Sequence, residues 1–255
     1  MNRKYKNMQM TLYGKIKCPR GWSVVHSGIF NRIYYILGGK TEYMSDGYTE
    51  ILMPGRLYLF PAVKPYSIIH DPDYPLECVY FHVRVIPTIL NQLIRIDVTG
   101  NDLLKNTLIL SENLMKYDSP SKKKQLENVV SNIVHIIMDN YHTQTYSDPR
   151  IVEIIDFIEK RYMLACNNLQ LAEIIGLNVR QFLRLFKKMT GVSPSKYLCG
   201  IRMEHAKLKL LTGHNIAETA YGVGYQDAKA FSRSFKEYCG KSPKEFRQHP
   251  TLFMA

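Results

Sequence analysis

Along the first hundred residues the apolar positions fall in short runs rich in Ile, Val, Tyr and Phe, such as "RIYYILGGK", "RLYLFP" and "LECVYFHVRV". Gly-Gly, Asp-Gly, Pro-Gly and "HDPDYP" punctuate them. Runs of this length between such breakers predict strands. Residues 22–98 are therefore expected to form a small sandwich or barrel. Tyr34 and Tyr35 adjoin on one run, so they must face opposite sides of it.

After Asn101 the period changes. Leu104, Leu108 and Met115 recur at helical spacing, as do Leu103, Leu110 and Leu114. "SPSKKK" (119–124) interrupts, and a second helix follows with Leu126, Val130, Ile133 and Ile137 in one row and Val129, Val134 and Ile136 beside it. Both stripes are wide enough for one side to pack on the barrel while the other meets a partner. "HTQTYSDP" (142–149) is polar and turn-rich and marks a domain boundary. Asp148 suits a helix cap, Pro149 the first helical position, and Ile151, Ile154, Ile155 and Ile158 a buried stripe.

The pattern then repeats. "RQFLRLFKKMTGVSPSKYL" (180–198) returns as "KAFSRSFKEYCGKSPKEFR" at an offset of 49, pairing Phe182 with Phe231, Arg184 with Arg233, Phe186 with Phe235, Gly191 with Gly240, and Ser193-Pro194 with Ser242-Pro243. Upstream, at an offset of 48, Ala172 meets Ala220 and Gly176 meets Gly224. Order of this length marks a duplicated structural unit. In each unit a short helix ends at Gly, the chain turns, and a longer helix begins with an aromatic stripe on one face. Gly191 and Gly240 suit helix termination and the Ser-Pro pairs suit the next start. Each unit is a helix-turn-helix, over about 167–190 and 215–239.

Charge sharpens this reading. Opposite the aromatic stripes lie Arg180, Arg184 and Lys187 in one unit and Lys229, Arg233 and Lys236 in the other. Residues 178–255 hold 14 Lys and Arg against 5 Asp and Glu, so most of the chain's +12 sits there. A single basic stripe is usually a solvated face. Two, on the second helices of two helix-turn-helix units, point to the DNA major groove, where Arg and Lys meet guanine edges and phosphates.

The five cysteines are scattered with no C-x-x-C, which fits a reducing compartment, and the basic start has no apolar core of a signal peptide. No run is long enough to span a membrane. A cytoplasmic protein is expected. No G-x-S-x-G, phosphate-binding Gly loop, H-E-x-x-H or Cys/His cluster is present, so neither an enzyme nor a cofactor is expected.

The second unit, "IAETAYGVGYQDAKAFSRSFKEYCGKSPKEFR", resembles the signature region of the AraC/XylS family of bacterial transcription regulators, and "SKYLCGIRMEHAKLKLL" resembles its connecting helix, marked by Arg202, Ala206 and Leu210. The resemblance covers roughly 150–248. It implies base reading by Arg180, Leu183 and Arg184 and by Ala228, Lys229 and Arg233; with Lys187, Lys188 and Lys236 these are the candidate DNA contacts. Leu183 and Ala228 stand where polar residues are common in the family, and either touch a thymine methyl or read nothing.

The first half is similar, more weakly, to the family's cupin-like effector domain through "YYILGGKTEYMSDG", "PGRLYLFPAVKPYSII" and "DPDYPLECVYFHV". Tyr66 stands where many such domains carry His, and the metal-binding His-x-His pattern is absent; His26, His70 and His82 are too dispersed for a metal site. The expected fold is α+β and multidomain. Residues 1–145 would form a cupin-like β-barrel with a dimerisation helix pair (about 101–141), and 146–255 an all-α double helix-turn-helix domain.

The expected function is a small-molecule-responsive activator of metabolic genes, with promoter DNA, RNA polymerase and a second copy of the chain as partners. Trp22, His26, Arg32, Tyr34, Tyr43, Phe60 and His82 are candidate effector contacts, because aromatic rings with polar tips suit a sugar or another small polar molecule better than a lipid. The alternative is a constitutive or architectural DNA binder whose first half only dimerises.

Overall fold

A computed structural model describes residues 7–26, 28–86, 92–141, 148–164 and 166–248. Strands come first: β1 Asn7–Lys17, β2 Ser23–His26, β3 Asn31–Gly38, β4 Thr41–Ser45, β5 Tyr48–Leu52, β6 Arg56–Phe60, β7 Tyr66–His70, β8 Glu77–Ile86 and β9 Ile94–Asp97. They pair antiparallel in two sheets, ordered β1-β8-β3-β6-β9 and β2-β7-β4-β5. Alternation assigns the faces of the larger sheet. Tyr34, Ile36, Tyr58, Phe60, Cys78 and Tyr80 point to the smaller sheet and meet Val24, Tyr43, Leu52, Tyr66 and Ile68 in the barrel interior. Ile33, Leu57, Leu59, Val79, Phe81 and Val83 point the other way. Tyr34 and Tyr35 divide as expected, Tyr34 buried inside and Tyr35 packed on the outer layer.

The Asp-Gly signal becomes a two-residue hairpin turn between Ser45 and Tyr48, with Asp46 at φ 48° and Gly47 at φ 78°. Two positive φ values are the mirror-image turn that matches strand twist. β1 is the element that the apolar pattern did not predict. The β1–β8 register shifts between Met10 and Leu12. Met8 and Met10 face the outer layer before the shift, and Leu12 and Ile16 face the interior after it. A bulge moves even-numbered residues from one face to the other and hides the alternation.

The outer face of the larger sheet is covered by α1 Asp102–Lys116 and α2 Lys122–Tyr141. Leu104, Leu108, Leu126, Val130, Ile133 and Ile137 supply the contact.

The remaining helices are α3 Pro149–Lys160, α4 Asn168–Ile174, α5 Val179–Thr190, α6 Pro194–Leu211, α7 Ile216–Gly222, α8 Ala228–Cys239 and α9 Pro243–Gln248. Asp148 caps α3 by accepting from the Arg150 N–H at 3.0 Å, and Pro149 occupies its first turn. Helix α6 spans two cores. Its Tyr197 and Ile201 pack with Phe182, Phe186 and α3, whereas its Met203, Ala206 and Leu210 pack with Phe231, Phe235 and Phe246. Ile29 and Phe30, between β2 and β3, enter the first of these cores and so tie the barrel to the helical half.

Candidate nucleic-acid interface

α4–α5 and α7–α8 are two copies of one arrangement. Asn167 and Asn215 open the short helices with reciprocal capping boxes. Asn178 opens α5 by accepting from the Gln181 N–H at 2.9 Å, and Asp227 opens α8 by accepting from Lys229 and Ala230 at 3.1 and 2.9 Å. Both long helices end on a left-handed glycine, Gly191 at φ 77° and Gly240 at φ 74°. The rings of Phe182 and Phe186 meet edge-on at 5.6 Å, those of Phe231 and Phe235 tilted at 5.6 Å, and all four are buried.

This packing turns the opposite faces outward. Arg180, Arg184, Lys187 and Lys188 are exposed on α5, and Lys229, Arg233 and Lys236 on α8. Among the described residues no carboxylate forms an ion pair with Arg180, Arg184, Lys187, Lys229, Arg233 or Lys236, as the other ion pairs lie elsewhere. Asp227 is held below the usual carboxylate range by the backbone N–H groups of Lys229 and Ala230, with the Lys229 and Arg233 charges adding to this. Leu183 and Ala228 sit at the rim: both are half-buried, Leu183 against the first helical core and Ala228 against the second. Gln181 is exposed three residues before Arg184 and seven before Lys188. It joins the same face, and sequence reasoning passed over it because the stripe was traced through charges alone.

The candidate effector residues separate into two groups. Trp22, Tyr34, Tyr43 and Phe60 are buried in the barrel interior, where Phe60 meets the rings of Tyr34, Tyr43, Tyr58 and Tyr66 at 5.0–6.2 Å. These rings fill the barrel. The His26 side chain lies outside the described residues. Arg32 and His82 lie at the barrel end that meets the helical half. They are directly opposite on β3 and β8. A cleft of about 440 Å³ opens there, lined by His82, Arg84 and Phe30 on one side and by Glu159, Ile201 and Glu204 on the other. Burial, with the charges of Arg32 and Lys207, pushes the His82 ring well below the usual histidine range, so it is neutral at pH 7.

Arg84 and Glu159 went unremarked in the sequence. Arg84 is 5% exposed and crosses the cleft to Glu159 at 2.6 Å. It also donates to Gln9 and lies between the rings of Phe30 and Tyr197, at 5.6 and 5.9 Å. The Tyr197 hydroxyl donates to Glu159 at 3.4 Å. The signal was available: Arg84 is a charge on the inward row Cys78, Tyr80, His82 of β8.

Two helix-turn-helix units on one connecting helix, joined to a barrel with a helix pair, define a DNA-binding transcription regulator. A family described as a helix-turn-helix domain matches residues 171–249. The raffinose operon transcriptional regulatory protein RafR of Pediococcus pentosaceus is 34% identical over 280 residues, covering 97% of this chain and 99% of that one. The Msm operon regulatory protein of Streptococcus mutans is 25% identical, covering 92% and 91%. Among solved structures, an apo ToxT variant from Vibrio cholerae superposes with a TM-score of 0.69 at 14% identity, covering 96% of this chain and 97% of that one. ToxT with a bound unsaturated fatty acid gives 0.64 at 14%, covering 100% and 98%. At that identity the likeness is of fold. The chain belongs to the AraC/XylS family of transcription regulators.

No helix among the described residues is long and apolar enough to cross a membrane.

Proposed function

We propose that the protein binds promoter DNA as a homodimer, responds to a small molecule and activates metabolic genes, carbohydrate genes foremost, by engaging RNA polymerase. The observation that carries the DNA reading is the pair of cationic faces on α5 and α8, set at matching phase and fixed to one helix, α6. Nothing in the packing of the two cores needs those charges, whereas a phosphate backbone does. Arg180, Arg184, Lys229 and Arg233 are assigned to base edges, and Lys187, Lys188 and Lys236 to phosphates. Leu183 and Ala228, with only their outer edges free, are assigned apolar contact with thymine methyls.

The dimer is assigned to α1. Leu104 and Leu108 bury one face, yet Leu103 is 66% exposed and Tyr117 69%, with Ile109 and Leu110 half open. Such a second apolar face suits an isologous contact. Carbohydrate genes are favoured by the likeness to a raffinose operon regulator over nearly the whole chain. The closely packed interior of the barrel favours one other reading, in which the first half only dimerises and DNA binding is constitutive.

Footprinting on promoter fragments, with a reporter in the same promoter, separates these readings. Two protected major-groove segments per protomer are expected, with reporter output that changes when a metabolite is supplied. Protection that ignores sequence would end the regulator reading. Sequence-specific protection with an invariant output would select the constitutive one.

A further inference from the structure

A second link between the two reading heads runs beside α6. It starts from α3, which belongs to the first head because Ile151, Ile154, Ile155 and Ile158 lie in that core. Just beyond α3, Tyr162, Met163 and Leu164 form a strap that crosses to the second head. The Tyr162 side chain packs against both helical cores and stacks on the His205 ring of α6 at 4.1 Å, with 1° between the planes. The Met163 carbonyl abuts Gly224, which stands at φ 85° in the turn between α7 and α8. A Cβ at Gly224 would collide with the Met163 oxygen, so this crossing needs glycine for its conformation and for its closeness alike.

One side chain of α6 holds the strap on both sides of Met163. Arg202 donates from Nε to the Tyr162 carbonyl at 2.7 Å and from Nη2 to the Leu164 carbonyl at 3.1 Å. Its guanidinium also lies over the ring of Tyr225, the residue after Gly224, at 5.5 Å. That ring meets Phe231 of α8 edge-on at 5.6 Å. Arg202 therefore touches the strap from the first head and the turn of the second, from a base on the helix between them. Hydrogen bonds from a charged donor are stronger than neutral ones, and a planar fork fixes angle as well as distance.

We propose that Arg202 is a positioning residue for DNA recognition: its fork locks the second head at one rotation about α6 relative to the first. The proposal rests on the reading of α5 and α8 as heads that enter successive major grooves. Helix α6 sets how far apart the heads stand. Each head grips it through apolar side chains, Tyr197 and Ile201 for the first and Met203, Ala206 and Leu210 for the second. Apolar burial is non-directional, so an attachment away from the helix axis is what resists a roll of one head against the other. The duplex turns by about 35° per base pair, and a small roll carries Lys229 and Arg233 off their base edges. With the heads held in register, the second docks as an intramolecular event, already oriented by the first.

The test uses the full-length protein and a duplex operator that the parent selects from random sequence. Three derivatives accompany it: one with a base pair added between the two grooves, one with a base pair removed, and a pair with either groove's sequence scrambled. Affinities of the parent, Arg202→Met and Arg202→Lys are read by fluorescence anisotropy at several salt concentrations. Arg202→Met should bind the intact operator about tenfold more weakly and the single-groove duplexes as the parent does. Its preference for native over altered spacing should shrink by about fivefold. Arg202→Lys should show the same two changes to a smaller degree, because an ammonium keeps the charge but not the fork. Should Arg202→Met fail to fold, Arg202→Lys carries the comparison. Lost stability alone would lower affinity for every duplex by one factor and leave the spacing preference unmoved. The salt slope should match the parent's, because the guanidinium is committed to protein carbonyls.

The proposal is overturned if the folded variants keep the parent's spacing preference, if Arg202→Lys equals the parent on every duplex, or if Arg202→Met lowers the salt slope as a lost phosphate contact would. A parent that binds altered spacing as well as native spacing would remove the two-groove reading and the proposal with it. A parent sensitive to spacing, with variants equally sensitive, would remove the role of Arg202 and leave the two-groove reading standing.

Discussion

Substituting Glu159 tests how barrel and helical half are held together. Arg84 is nearly enclosed, and the Glu159 side chain is 25% exposed. In Glu159→Ala the guanidinium keeps Gln9 and two ring faces but loses its counter-charge. Leaving a buried charge uncompensated costs about 3–5 kcal/mol, and the open edge of the cleft places this case near the low end. At about 2–4 °C per kcal/mol, Tm should fall by about 6 °C or more.

The pair as a whole has the opposite sign. Burial lifts the Glu159 carboxyl above its usual range even though Arg84 acts to lower it. A raised carboxyl means that the folded protein holds the proton more firmly than the unfolded chain does. The group's stabilising contribution is therefore full below the unfolded pKa of about 4.3 and is lost as pH rises through the folded value. At pH 7 the desolvation of both enclosed charges offsets most of their mutual attraction. Arg84→Met with Glu159→Leu should then match or exceed the parent by about 1 kcal/mol, while weakening the fixed orientation of the two halves. Urea melts of parent, both single variants and the double variant, read as a double-mutant cycle, check this. A Glu159→Ala loss below about 1 kcal/mol, or a double variant less stable than either single, would refute the reasoning.

Other outcomes follow from the interface and the helix pair. Arg184→Ala or Arg233→Ala should cost about 1–3 kcal/mol on the specific site and relax its sequence preference, as mobility shifts on operator and random DNA will measure. Lys187→Ala or Lys236→Ala should weaken both kinds of DNA alike and reduce the salt slope by about one. Gln181→Ala should, like the arginine variants, relax discrimination among operator variants, and should leave the salt slope unchanged. Leu103→Glu with Leu110→Glu should convert a dimer to a monomer in sedimentation without lowering Tm by more than a few degrees, because both side chains lie off the packed face of α1.

The helical half was readable because its information is local. Phase, caps and glycine stops in 167–190 recur in 215–239, and each copy corroborates the other. Pairings in the sheets were not readable. β1 lies beside β8, and β3 lies between β8 and β6, contacts that join residues from 22 to 79 positions apart. The effector candidates show a different limit. Phe60 and Arg32 face the same barrel, and composition cannot tell a ring that fills it from a side chain at its end. Arg84 and Glu159 acquire meaning only when β8 and α3 come together, and nothing local to either stretch announces the other.

Helix α6 has a consequence for the DNA itself. It is one unbroken helix of 18 residues, roughly 27 Å long, with a recognition unit packed on each half and no slack segment between them. The two reading heads thus have a fixed stride. An operator can drift by base substitution and lose affinity gradually, one contact at a time. Inserting or deleting a few base pairs between its two grooves turns the second target to the far side of the duplex, where no rotation of α6 can follow. Promoters served by this protein should tolerate point changes far better than changes of length.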